Sequence, residues 1–263
     1  MDNKNKAIEA FDNYAKGYDT NDVNVKLKIY HTYRVADFAE LIGESIGANK
    51  DFSWFLGLLH DIGRFEQLRR FGTFKDRESL DHAKLSADIL FKDGLIDTFP
   101  KEFFNMKDVS WDEAMAIADI AIRSHNKLNI PDNLDTKTAM YCNILRDADK
   151  VDIFRVATEP PFDNDGRIVE EGVSKGKIEP ARDEVMTCVY EHRCIPMGFK
   201  PNEFEVVIIR CAMGFELVYP KSRQLTIEQG YLFKLMDLDL SNQVHASQLA
   251  TLRQEIKRTL SES

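Results

Sequence analysis

Apolar residues recur along this chain mostly with helical spacing. From about Val25 to Ile46, Val35, Phe38, Leu41, Ile42 and Ile46 form a helical stripe, with Gly47 as the stop. The next segment, FSWFLGLLHDIG, is apolar nearly throughout and lacks a polar face, which predicts a short buried helix. Arg64 to Ser79 is charged and contains glycine, and it predicts a loop. Ser79 or Asp81 would cap a helix running to about Phe91 and ending near Gly94. Trp111 to His125, preceded by Ser110, and Thr136 to about Ala157, closed by Pro160-Pro161, predict two more amphipathic helices. Trp54 and Trp111 are expected as core anchors. Phe162 to Lys177 reads as a surface excursion, and three or four helices follow from Pro180. In PNEFEVVIIRCAMGF the β-branched density makes a strand the competing reading, with helix favoured. Ser241 to Ser263 predicts a terminal helix.

Composition supports this picture. The 13 glycines and 8 prolines among 263 residues fall below the ~12% share usual for globular chains. With no dividing linker visible, one all-α domain over residues 1–263 is expected: a core at about 25–157 and a helical extension at about 180–263. The net charge of −9 disfavours a nucleic-acid polymer or an anionic membrane as partner. The polar start MDNKNKAIEAFDNY and the absence of a long apolar run predict a cytoplasmic protein. Four cysteines at irregular spacing, Cys142, Cys188, Cys194 and Cys211, suggest no disulfide scaffold.

The chemistry concentrates in histidine and aspartate. His31 shares its helix face with Val35, Phe38 and Ile42, and His60 ends the apolar helix and is followed by Asp61. His82 aligns with Leu85 and Ile89, His125 with Ala118, Ala121 and Ile122, and Asp149 with Leu145, Ile153 and Val156. Any one such residue reads as a satisfied core group. Six together, each costly to bury alone, are accounted for by one shared metal site. Imidazole and carboxylate ligands without thiolate suit an open catalytic site for Fe, Mn, Co, Ni, Mg or Zn, with one or two ions. His192 and His245 are expected as ordinary surface or core residues.

The order His31, His60-Asp61, Asp149, with the words LLHDIGRFE and DADKVD, resembles the HD-domain metal-dependent phosphohydrolase superfamily over about Leu27 to Val156. The resemblance implies an all-α helical bundle in which these side chains converge on a divalent metal. The extra pair His82 and His125 resembles the binuclear subset. There Asp61 would bridge, His31, His60 and Asp149 would hold one ion, and His82 and His125 the other. The chain has no Gly-Tyr-Pro motif after His60-Asp61, which disfavours the cyclic-dinucleotide phosphodiesterases. Asp147 competes with Asp149, but two helical positions differ by about 200°, so both cannot face one site.

The activity implied is hydrolysis of a small phosphorylated compound, with a nucleotide the expected class, by a metal-activated water. Asp61, Arg64 and Lys150 are the candidate catalytic residues, with Lys127 a further candidate cation. Asp81 is a candidate for orienting His82, or a helix cap. Phe65 to Phe74, with Arg69 and Arg70, is expected to form a lid over the metals. Two other classes share the ligand set: a mixed-valent di-iron oxygenase of the same superfamily, and a non-catalytic nucleotide or metal sensor. A homodimer is compatible with the sequence.

Overall fold

The computed structural model describes residues 2–159, 176, 178–196 and 199–261. Among these the chain is helical with no strand, in two compact units, 1–149 and 150–263. The predicted closure at Pro160-Pro161 lies outside the described residues, as does nearly all of the predicted excursion from Phe162 to Lys177.

The first unit contains α1 (Asn3–Ala15), α2 (Val23–Ser45), α3 (Lys50–Leu59), α4 (Ile62–Phe71), α5 (His82–Ala87), α6 (Trp111–Ser124) and the start of α7 (Thr136–Val156). Asp22 caps α2 by accepting from the Asn24 and Val25 amides, and the left-handed Gly47 follows its end. Asn49 caps α3, all of whose residues from Phe52 to Leu59 are buried. Glycine lets α2 and α3 approach backbone to backbone: a Cβ on Gly57 would lie 2.6 Å from the Ala36 Cα. Short 3-10 turns at Leu95–Thr98 and Lys101–Phe104 bring Phe99, Phe103 and Phe104 around Phe55. Phe103 stacks on Phe55 with 4.4 Å between ring centres, and Trp54 stacks on Phe103. Trp111 is no core anchor, since 43% of its surface is exposed.

The first half of the segment expected to be a loop, Arg64 to Phe71, belongs instead to α4, while residues 72–79 form the connection to α5. Gly63 does not end a helix. It lies inside the first turn of α4, where an added Cβ would sit 2.6 Å from the Ser86 amide nitrogen. The Gly63 amide donates to Ser86 Oγ at 2.9 Å, so glycine serves close packing of α4 on α5. Glu66 pairs with Arg69 and Arg70 one turn on, and left-handed Gly72 closes the helix by donating to the Leu68 carbonyl. Arg69 also lies over the Tyr18 ring. The expected lid is therefore mostly a regular helix whose two arginines are engaged by Glu66. Asp81 caps α5, which continues through a π-helical turn at Asp88–Lys92 to Gly94.

The second unit contains the rest of α7, then α8 (Asp183–Tyr190), α9 (Glu203–Ala212), α10 (Pro220–Gln229), α11 (Tyr231–Lys234) and α12 (Gln243–Ser261). The segment with strand-like composition is α9, fixed by a capping box between Asn202 and Glu205. His245 is buried against the Phe204 ring, and half-buried His192 pairs with Glu255. No helix among the described residues is long and apolar enough to cross a membrane.

Candidate metal centre

Five helices or helix ends of the first unit deliver six side chains to one place. His31 comes from the middle of α2, His60 and Asp61 from the junction of α3 and α4, His82 from the start of α5, His125 from the end of α6, and Asp149 from α7. All six are buried. The two glycine contacts fix two of these approaches: Gly57 against α2 for His31 and His60, Gly63 against α5 for Asp61 and His82.

The polar atoms fall into two groups that share Asp61. On one side Asp61 Oδ2 lies 3.5 Å from both His31 Nε2 and His60 Nε2, and Asp149 Oδ1 lies 3.2 Å from His31 Nε2 and 3.7 Å from His60 Nε2. On the other, Asp61 Oδ1 lies 3.6 Å from His82 Nε2 and 3.7 Å from His125 Nε2. The two groups adjoin at His60 and His125, whose ring centres are 5.1 Å apart.

The outer ring nitrogens decide what the inner ones present. His60 Nδ1 lies 2.7 Å from the Gly57 carbonyl and His125 Nδ1 2.7 Å from the Ile122 carbonyl. A carbonyl only accepts, so both Nδ1 atoms carry a proton, and each ring turns its Nε2 inward. His82 Nδ1 is held in the same way by the Asp76 carboxylate at 2.6 Å. Burial, with Arg64 nearby, pushes His82 down to about 4, against the opposing pull of Asp76, so the ring is neutral at physiological pH. Burial likewise depresses His60, against the pull of Asp61. The inner nitrogens meet in two close pairs. His82 Nε2 faces His125 Nε2 at 3.1 Å, and His60 Nε2 faces His31 Nε2 at 3.3 Å. Asp61 Oδ1, also buried, accepts no hydrogen bond.

This donor set fits divalent cations. Ligand atoms ~2.1 Å from an ion in tetrahedral or octahedral geometry stand about 3.0–3.4 Å apart, close to the separations here. The carbonyls behind His60 and His125, and Asp76 behind His82, are the outer partners that orient metal-binding imidazoles. Burial would push the Asp61 carboxyl up, but the Lys28 ammonium and the imidazoles outweigh it and hold the group well below the usual carboxylate range. Asp149, also raised by burial, is held equally low by His31 and His60. Both stay ionised, as ligands must.

The family model of the HD domain matches residues 29–154. Residues 29–154 are an HD domain. It is the domain of the metal-dependent phosphohydrolase superfamily, and the His/Asp cluster is consistent with an HD-type metal site. No curated protein and no solved structure matches the chain.

Around the HD domain's cluster the remaining candidates separate. Arg64 lies close, with Nε 3.6 Å from Asp61 Oδ1 and Nη1 donating to Gln67 Oε1, the Phe74 carbonyl and Asp76 Oδ1. Lys127 pairs instead with Asp81, the α5 cap, which Asn126 also holds. Lys150 is buried and lies 2.9 Å from Glu216 within the second unit. Asp147 is wholly buried and belongs to none of the metal-competent groups among the described residues, whereas Asp149 does. The carboxylate on His82 is Asp76 rather than Asp81. Nothing in the sequence marks Asp76, which stands in an aperiodic stretch six residues before His82.

Lys28 was also missed. Its Nζ lies 2.7 Å from Asp61 Oδ2, and the side chain is buried on α2. The signal was present, since Lys28 sits three residues before His31 on the same helix face.

Proposed function

We propose that the protein is a metal-dependent phosphohydrolase acting on a small phosphorylated compound, with a nucleotide the expected class. One observation carries the reading: two close pairs of imidazole Nε2 atoms, 3.3 and 3.1 Å apart, each pair facing one oxygen of a single buried carboxylate. His31, His60, Asp61 and Asp149 would hold one ion, and Asp61, His82 and His125 a second. When bound, divalent ions at such a site supply Lewis-acid polarisation of a phosphoryl group and a water acidified toward neutrality.

The chain's own groups then have distinct duties. Asp61 ties both halves together through its two oxygens. The Gly57 and Ile122 carbonyls and the Asp76 carboxylate keep three rings in the tautomer that leaves Nε2 free. Arg64, beside Asp61 and near the cluster, contributes a positive charge toward an anionic substrate.

The test is elemental analysis of protein purified without chelator, beside a His82→Ala variant and a panel of phosphomonoesters and phosphodiesters. About two ions per chain, falling to about one in the variant, with hydrolysis by the wild type, is the expected result. Iron at both positions with a mixed-valent spectrum and no hydrolysis would replace the reading with the oxygenase. No metal even after reconstitution would overturn it.

A further inference from the structure

The geometry points to Lys28 as the residue that grips the substrate's anionic group, sharing with Arg64 a subsite that selects dianionic phosphomonoesters over monoanionic diesters. The inference rests on the hydrolase reading above for the identity of the anion.

Lys28 and Arg64 flank the bridging carboxylate, one beside each oxygen: Lys28 Nζ 2.7 Å from Asp61 Oδ2, Arg64 Nε 3.6 Å from Oδ1. Both also lie over one aromatic ring, Phe74, with Lys28 Nζ 5.5 Å and Arg64 Cζ 5.7 Å from its centre. The two cations are thus gathered next to the cluster around a common apolar surface, rather than spread over the exterior.

Their donors are not used up. An ammonium has three N–H groups, and among the described residues the Asp61 bond is the one hydrogen bond Lys28 makes through Nζ, although the side chain is buried. Arg64 Nε is buried and, beyond its 3.6 Å approach to Asp61 Oδ1, has no hydrogen-bond partner among the described residues. Buried donors left without acceptors are costly, and a tetrahedral oxyanion offers several acceptors at once.

Charge decides which oxyanion. The three carboxylates Asp61, Asp76 and Asp149 outnumber the two cations Lys28 and Arg64 by one. Two divalent ions would turn that single negative charge into three positive ones. A phosphomonoester dianion neutralises more of this excess than a diester monoanion does, and beside buried charges the difference is greater than in water.

The experiment uses the full chain loaded with Mn2+ at pH 8, and titration calorimetry with inorganic phosphate and dimethyl phosphate as probes. Wild type is expected to bind phosphate at least ~10-fold tighter than dimethyl phosphate, the factor of one well-made charged contact. Lys28→Met and Lys28→Gln should each lower phosphate affinity ~10-fold or more with Mn2+ per chain unchanged, while Lys28→Arg restores most of it. Unchanged phosphate affinity in a metal-replete Lys28→Gln protein would overturn the proposal. So would a fall in phosphate binding matched by lost Mn2+, which would make Lys28 only a support for Asp61. Equal affinity for the two probes would overturn the dianion selection. Should neither neutral variant fold, Arg64→Met carries the test and must weaken phosphate binding likewise. None of these readings requires turnover, so the subsite and the hydrolase reading can fail separately.

Discussion

Gly57 on α3 stands so close to Ala36 on α2 that a single added methyl would lie 2.6 Å from the Ala36 Cα and 2.8 Å from its amide nitrogen. Backbone, not a flexible side chain, is what the methyl would meet. The contact lies between His31 and His60, which come from these two helices and whose Nε2 atoms are 3.3 Å apart. Gly57→Ala is therefore expected to cost about 1–3 kcal/mol or more through overpacking, and to lower metal affinity by spreading the ligand pair. Denaturant melts of the metal-free protein and a metal titration check the two effects; a variant of unchanged stability would contradict this packing.

Asp76 holds the outer nitrogen of His82 and, through Oδ1, Arg64. Asp76→Ala removes the group that fixes His82 with Nε2 free. Outer partners of this kind are worth about 10–100-fold in metal affinity, and the loss should fall on the ion shared by Asp61, His82 and His125. The expected outcome is a two-step metal titration in which one step weakens and the other stays. Equal weakening of both steps would mean that Asp76 acts on the cluster as a whole.

The helices and the ligand set were legible in the sequence because both rest on periodicity. His31, His82, His125 and Asp149 declared themselves by sharing faces with apolar neighbours, and the structure brings them to one place with His60 and Asp61. What was not legible came from long-range contact. The Arg64–Phe71 part of α4 looked like a loop because of its charges and nearby Gly72, yet Gly72 only closes the helix, and the Gly63 contact that seats α4 is with Ser86, twenty-three residues away. Asp76 reaches His82 from an aperiodic stretch. Lys150 and Lys127 looked like free cations, but Glu216 and Asp81 engage them, and no local pattern predicts such pairings.

Asp147 and Asp149 are two residues apart in α7 and face differently. Asp149 Oδ1 lies 3.2 Å from His31 Nε2, while Asp147 is wholly buried outside the metal-competent groups. Asp149→Asn should lose the ion shared with His31 and His60 while keeping the fold, since the amide is nearly isosteric. Asp147→Asn should leave metal content unchanged and lower stability, by about 1–3 kcal/mol for a disturbed buried polar group. Parallel elemental analysis and melts separate the two. Metal loss in the Asp147 variant would reverse the assignment.

In the second unit, Glu205 closes the α9 capping box with Asn202 and accepts hydrogen bonds from Arg182 Nε at 2.8 Å and Nη2 at 2.7 Å. Burial would raise its carboxyl, but the Arg182 side chain and the backbone amides outweigh that and hold it below the usual glutamate range. A carboxyl whose folded value is depressed binds fewer protons folded than unfolded, so stability rises with pH across that interval. The contribution is complete above the ordinary glutamate value of about 4.3 and disappears as pH falls through the lower folded value. Glu205→Gln should cost about 1–2 kcal/mol at pH 7, discounted because Arg182 is half exposed, and almost nothing once the wild-type carboxyl is protonated. Stability curves of both proteins from pH 7 downward should therefore converge in acid. A gap that stays constant with pH would show that shape at the cap, not the charge on Glu205, stabilises this end of α9.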